Sequence, residues 1–147
     1  MGKDALTLLK EDHQKVRKML KRLHSNGTED LLNQVETELK IHTQIEEEIF
    51  YPAFLADTKD KDTHHEALVE HAGAKKLIAE IQGASSGDDF FDAKVTVLSE
   101  MIKHHVKEEE QPGGMFAEAK KSDMDLGALG DRLQARKKEL QAKLQAA

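Results

Sequence analysis

A chain of 147 residues with 38% apolar and 34% charged side chains is long enough for one domain with its own core and too apolar to stay disordered. Acids and bases are interleaved around a net charge of −6, which leaves no basic stripe for a nucleic-acid backbone, and no run of about 18 apolar residues offers a membrane span. The absence of cysteine excludes disulfides, thiolate zinc sites and thiol catalysis, and the opening MGKDALTLLKED lacks the apolar core of a signal peptide, so the cytoplasm is the expected compartment.

Apolar spacing is helical almost throughout. The first helix is expected over residues 4–24, with Ala5, Leu9, His13, Val16 and Leu20 on one stripe. The sequence SNG at 25–27 stops it, and His24 there suits the negative end of the helix dipole. Thr28 is the N-cap expected for a second helix, whose stripe is Leu31, Val35, Leu39, His42, Glu46 and Ile49. That helix should end between Pro52 and Asp57, and Tyr51, off its stripe, is read as structural. A third helix over residues 62–82 carries His64, Leu68, His71, Lys75 and Ile78 on one face and stops at Gly83. His64 is read as a surface residue, with the lining of an entrance as its alternative. Ser86 or Asp88 caps a fourth helix with the stripe Phe91, Val95, Leu98, Ile102, His105 and Glu109. QPGG at 111–114 breaks the chain, a short turn follows, and Ser122 is expected to cap a last helix with Leu126, Leu129, Leu133, Leu140 and Leu144 in line.

These elements predict an all-α fold, an up-down-up-down four-helix bundle over residues 1–120, with an additional amphipathic helix over 121–147. The last helix must cover apolar surface, either on its own bundle or at a homodimer interface, so the chain is a monomer or a homodimer.

The two halves of the bundle repeat each other. EDHQKVRKML at 11–20 aligns with VEHAGAKKLI at 69–78, and HTQIEEE at 42–48 with HVKEEEQ at 105–111. Each half thus has a lone histidine preceded by an acid, then a His-x-x-x-Glu. Positions i and i+4 share a helix face, so His42 with Glu46 and His105 with Glu109 each converge on one point. His13 and His71 point inward from their own apolar stripes. Burying four imidazoles and two carboxylates without compensation is costly, and a cation is the natural compensation. Six ligands exceed what one tetrahedral zinc needs, and mixed imidazole and carboxylate ligation suits two octahedral ions, iron better than manganese. In the fourth helix His104 and Glu108 have the same spacing. The His105 face is preferred because it carries no charge before the ligands.

The pieces DH at 12–13, HTQIEEEIFYP at 42–52, EH at 70–71 and HHVKEEE at 104–110 together resemble the hemerythrin-like, or HHE cation-binding, family over about residues 4–120. The resemblance implies a four-helix bundle around a non-heme di-iron centre, oxo- or hydroxo-bridged, with His13, His42, Glu46, His71, His105 and Glu109 as ligands. Oxygen-carrying members add a fifth histidine one turn after the third-helix ligand, where this chain has Lys75, and use an aspartate where it has a glutamate. The implied role is therefore binding of O2, NO or peroxide at an open position, for sensing, stress protection or iron handling, rather than oxygen storage. Two further functions stand beside it: an enzyme that turns over peroxide or oxidises iron, with Lys75 as a proton donor, and a metal-free interaction bundle. The paired Glu-x-x-His of ferritin-like oxidases does not occur.

Overall fold

The computed structural model describes residues 2–26, 28–83 and 88–146. The His24 side chain, Gly27 and Ser86, on which the sequence placed a dipole contact, a stop and a cap, lie outside the described residues. The described chain is all helical. Helix α1 spans Ala5–Asn26 and α2 spans Glu29–Ile45, which runs without a break through a π-helical turn, Glu46–Phe50, into α3, Tyr51–Thr58. After a short link come α4, Lys61–Gly83, and α5, Phe91–Glu110, then the short α6, Met115–Lys121, and α7, Leu126–Ala146. The expected second helix is therefore one rod made of α2, the π turn and α3.

The helix ends follow from side-chain capping, at some positions not those expected. Thr28 Oγ1 accepts from the Leu31 amide at 3.1 Å, as the sequence suggested. Lys59, at φ 60°, ends α3 in the left-handed conformation. Asp60 then accepts from the Thr63 amide at 3.1 Å and starts α4. Asp88 bonds the Phe90 amide at 2.8 Å, and α5 starts only at Phe91. Ser122 does not cap the last helix. Its hydroxyl donates back to the Ala119 carbonyl at 2.6 Å, and Asp125 takes the capping role by accepting from the Ala128 amide at 3.0 Å.

Helices α1, α2, α4 and α5 form the bundle, each packed on two neighbours, and α7 folds back along α1, α2 and the π turn. Leu129, Leu133 and Leu140 are buried there, whereas Leu144, expected on the same stripe, is 38% exposed. Gly130 permits the crossing, because a methyl group at that position would overlap the Lys3 carbonyl. The core is in two parts. Leu9, Ile45, Phe50, Phe54, Phe116 and Leu133 belong to one, and Val16, Leu20, Leu39, Ile78, Leu98 and Ile102 to the other. On α1 and α4 the inward His13 and His71 fall between the two, and on α5 His105 and Glu109 lie at the end that runs on into Met115 and Phe116 of the first part, so a polar layer has apolar packing above and below. No described helix is long and apolar enough to cross a membrane.

Candidate metal centre

The polar layer contains all six residues that the repeat singled out. His13, His42, Glu46, His71, His105 and Glu109 are buried, and the exchange of register in α5 does not occur: His104 is 65% exposed. The histidines turn Nε2 inward. Glu46 Oε1 lies 3.1 Å from the Nε2 of both His42 and His71. Glu109 Oε1 is 3.0 Å from His13 Nε2, and its Oε2 is 3.2 Å from His105 Nε2. Each glutamate therefore spans two imidazoles from opposite halves of the repeat.

Each imidazole is fixed from behind by a carboxylate on Nδ1. Asp12 holds His42 at 3.0 Å and Glu70 holds His105 at 2.5 Å, each within its own hairpin. Glu47 holds His71 at 2.7 Å and Glu110 holds His13 at 2.5 Å, each across to the other hairpin. The pseudo-twofold pattern of the sequence thus extends to ten residues: an acid before each lone histidine and an acid after each inward glutamate. This arrangement leaves Nε2 free to ligate, since the Nδ1 hydrogen bond sets the tautomer. Glu47 and Glu110 stand in glutamate runs of the kind that ordinarily face solvent; here Glu47 is half-buried, and Glu110, exposed as a residue, still turns a carboxylate oxygen onto His13. The signal was present in the repeat, because an acid adjoins a ligand candidate at all four places.

Tyr51 is the other residue missed. It is 0% exposed, and its hydroxyl donates to Glu109 Oε2 at 2.6 Å while lying 3.1 Å from His71 Nε2 and 3.2 Å from His105 Nε2. In a regular α-helix a residue five positions after Glu46 would sit about 140° away from it. The π turn takes up one extra residue, and the Tyr51 amide bonds the Glu46 carbonyl directly. Tyr51 therefore returns to the inward face. Lys75 goes the other way: half-exposed, it donates to Glu47 at 3.1 Å outside the layer. The last helix also takes part, through its charged face. Lys137 donates to Asp12 Oδ1 at 2.5 Å, behind His42, and Arg136 donates to Glu48 Oε1 at 2.8 Å. His64 is half-buried, its ring edge-on to Tyr51 at 6.3 Å.

The electrostatics reflect a layer held together by opposite charges. Burial alone disfavours a charged imidazole at His42, but Glu46 and Asp12 outweigh it and push its pKa up to about 10. Burial likewise opposes charge on His105, where Glu109 and Glu70 push the pKa up to about 11. Burial favours a neutral Glu46, yet His42 and His71 hold it well below the usual carboxylate range. Burial, together with the charges of Glu46 and Glu109, keeps Tyr51 a phenol.

Even so, the inward polar atoms are not satisfied. His13 Nε2, His42 Nε2, both oxygens of Glu46 and Oε1 of Glu109 are buried with no hydrogen bond of proper geometry, although His13 Nε2 and His42 Nε2 have carboxylate oxygens 3.0 and 3.1 Å away. Buried polar groups are paired in the great majority of cases, so a cluster of five such atoms at one point calls for a cation. The donors fall into two overlapping sets, each with its ligand atoms within 4.8 Å of one another: His13, His42, Glu46 and Glu109, and Glu46, His71 and His105. Two ions sharing carboxylates fit this arrangement, whereas a single tetrahedral ion would leave two imidazoles unused. A cavity of about 500 Å³ opens beside the layer. All four histidines line it, with Val16, Leu39, Ile78 and Ile102 among the apolar residues and Lys40, Glu47, Glu70 and Lys75 among the charged ones.

A family model for the hemerythrin HHE cation binding domain matches residues 4–112. A DNA nickase from Nostoc sp. is 26% identical over 107 residues, which are 70% of this chain and 30% of that protein. The chain thus spans less than a third of that relative's length. The crystal structure of a hemerythrin HHE cation binding domain-containing protein from Mycobacterium kansasii is similar with a TM-score of 0.81 at 22% identity, over 96% of this chain and 89% of that one. That likeness is one of fold, and it takes in the C-terminal helix.

Proposed function

Because the chain belongs to the hemerythrin HHE cation binding domain family, we propose that its buried layer holds two non-heme irons and leaves a position open to a small ligand: O2, NO or peroxide. When bound, such an ion pair supplies an exchangeable coordination position and redox chemistry that no side chain of the layer has. The observation that carries the proposal is the set of five inward, buried and unpartnered nitrogen and oxygen atoms between the four carboxylate-backed histidines. His13, His42, Glu46 and Glu109 would hold one ion and Glu46, His71 and His105 the other, with Glu46 common to both sets. The His71–His105 set has three residues against four in the other set, which favours the open position on that side, beside the Tyr51 hydroxyl. The apolar residues beside the histidines suit a small uncharged ligand. Iron suits the mixed imidazole and carboxylate donors better than manganese or zinc.

Metal analysis after anaerobic reconstitution tests this. About two irons per chain are expected from the donor count, and fewer than about one overturns the site. Optical spectra of the reduced protein before and after O2, NO and peroxide then identify the ligand. The nicking activity of the Nostoc relative is not carried over, since this chain spans 30% of it. We place the protein in the cytoplasm, and as a monomer, since α7 spends its apolar stripe on its own bundle.

Turnover of peroxide is the second reading, favoured by the Tyr51 hydroxyl inside the layer. Tyr51, rather than Lys75, is then the hydrogen-bond donor to bound peroxide. Sustained O2 evolution from added peroxide should fall on Tyr51→Phe with metal content unchanged, and a stoichiometric adduct without turnover sinks the enzyme.

A further inference from the structure

A third group of donors lies outside the layer. His104 Nε2 is 2.8 Å from Glu108 Oε1 and 3.6 Å from Glu70 Oε2, and ligand atoms of the three lie within 4.8 Å of one another. This is the pair that competed with His105 and Glu109 in the sequence, and in the fold it has a place of its own, with His104 facing solvent. Glu70 joins the two places. Its Oε1 bonds His105 Nδ1 while its Oε2 faces His104.

Next to the triad is a cavity of about 200 Å³ with Glu66, Glu70, Glu108 and Glu118 in its walls and no lysine or arginine. His105 and Glu109 also line it. Glu109 is 2% exposed and carries an oxygen with no hydrogen-bond partner. The cavity thus connects an exposed three-donor group with an unpartnered ligand of the layer itself. Of the carboxylates behind the other histidines, Glu110 is ion-paired with its own His13, and two are met by lysines. Asp12 is met by Lys137 and Glu47 by Lys75, whereas the ion pairs of Glu70 are with His104 and His105. At this corner the counter-charge beyond the carboxylate is an imidazole with a second glutamate beside it, and that set of donors suits a metal ion.

We propose that Glu70, His104 and Glu108 form a transit site that captures a divalent cation, ferrous iron in the first place, and passes it through the acidic cavity to Glu109 and His105. The proposal rests on the di-iron reading above. One imidazole and two carboxylates favour a borderline ion such as Fe2+ or Mn2+ over Mg2+ or Ca2+, which prefer oxygen donors alone. Three protein donors leave the remaining positions to water, so the ion stays exchangeable. Acidic walls concentrate cations, and Glu70, already shared, moves with the ion from His104 toward the layer.

The test is the rate of iron uptake, not activity. Full-length apoprotein is mixed anaerobically with micromolar Fe2+, uptake is followed by competition with a coloured ferrous chelator, and final iron is measured. His104→Ala/Glu108→Gln should load about tenfold more slowly, the scale on which local charge raises cation encounter rates, and should reach the wild-type endpoint. Glu108→Asp, which keeps the charge, should restore most of the rate, and Glu36→Gln, at the other cavity, should load as wild type does. A double variant that loads at the wild-type rate overturns the transit site. So does one that keeps its melting temperature but loses its endpoint, because the pair then belongs to the layer. If the double variant melts early, His104→Gln alone, at an exposed position, carries the same comparison. Wild-type protein that takes up no iron overturns the di-iron reading itself, a result distinct from unchanged kinetics in a protein that loads.

Discussion

Asp12 sits at the junction of three parts of the molecule: it bonds His42 Nδ1 on one oxygen and Lys137 on the other. Burial would raise its pKa, but His42 and Lys137 together hold it below the ordinary aspartate value, so it stays ionised behind the imidazole. Asp12→Asn keeps the shape and removes the charge. Partners of this kind behind a ligating histidine are worth about 10–100-fold in metal affinity. A chelator competition titration should show that loss for one ion of the pair, and equal weakening of both would mean that Asp12 acts on the whole layer instead. The six inward residues were legible because the i, i+4 spacing and the internal repeat both pointed to them. The carboxylates behind them were not, since a glutamate in an acidic run is normally solvated. What decides otherwise at Glu47 is the approach of α4, which brings His71 within 2.7 Å and is invisible along one helix.

At the scale of elements, the π turn and α7 are where the fold departs from its sequence pattern. Helical periodicity assigns Tyr51 to the wrong face because it assumes a constant 3.6 residues per turn, and one wide turn at Glu46–Phe50 cancels the assumption. Nothing in the propensity of EEEIF marks that turn. Its effect is packing: Phe50, Tyr51 and Phe54 are all fully buried as a result. For α7 the leucine spacing did predict a covered stripe, and the structure supplies the partner: its own bundle. The small residue that allows the approach, Gly130, has no periodic signature. Truncation after Lys121 should therefore lower the melting temperature sharply and weaken the His42 half of the site through loss of Lys137, while two metals still bind at saturation. Leu133→Ala, a milder form of the same change at a 0% exposed position, should cost about 2–5 kcal/mol in a denaturant titration. If the truncated chain keeps its fold but binds no metal, α7 is part of the site and the division into bundle and cover is wrong.

For the whole molecule, the layer makes stability depend on pH in opposite directions with and without metal. In the metal-free protein His13 is raised, His42 reaches about 10 and His105 about 11. A raised histidine stabilises the fold fully below its unfolded pKa, near 6.5, and its contribution fades as pH climbs through the folded value. Asp12, Glu46 and Glu109 are lowered, so their contribution is present above the unfolded carboxylate range, near 4, and is lost as pH falls through their folded values. The metal-free fold should therefore be most stable between about pH 4.5 and 6.5, and lose stability steadily toward pH 10. Metal reverses the alkaline slope. Ligating nitrogens must be neutral, so each ion displaces the protons that the carboxylates had placed on the imidazoles, and binding tightens as those protons become easier to remove. Melting temperatures recorded from pH 6 to 9 should fall for the stripped protein and rise for the loaded one. Calorimetric titration in buffers of different ionisation enthalpy should detect about two protons released at pH 7, from His42 and His105. Parallel melting curves with no proton release would mean that the metal does not replace the charge that holds the layer together, and that the ions bind elsewhere on the chain.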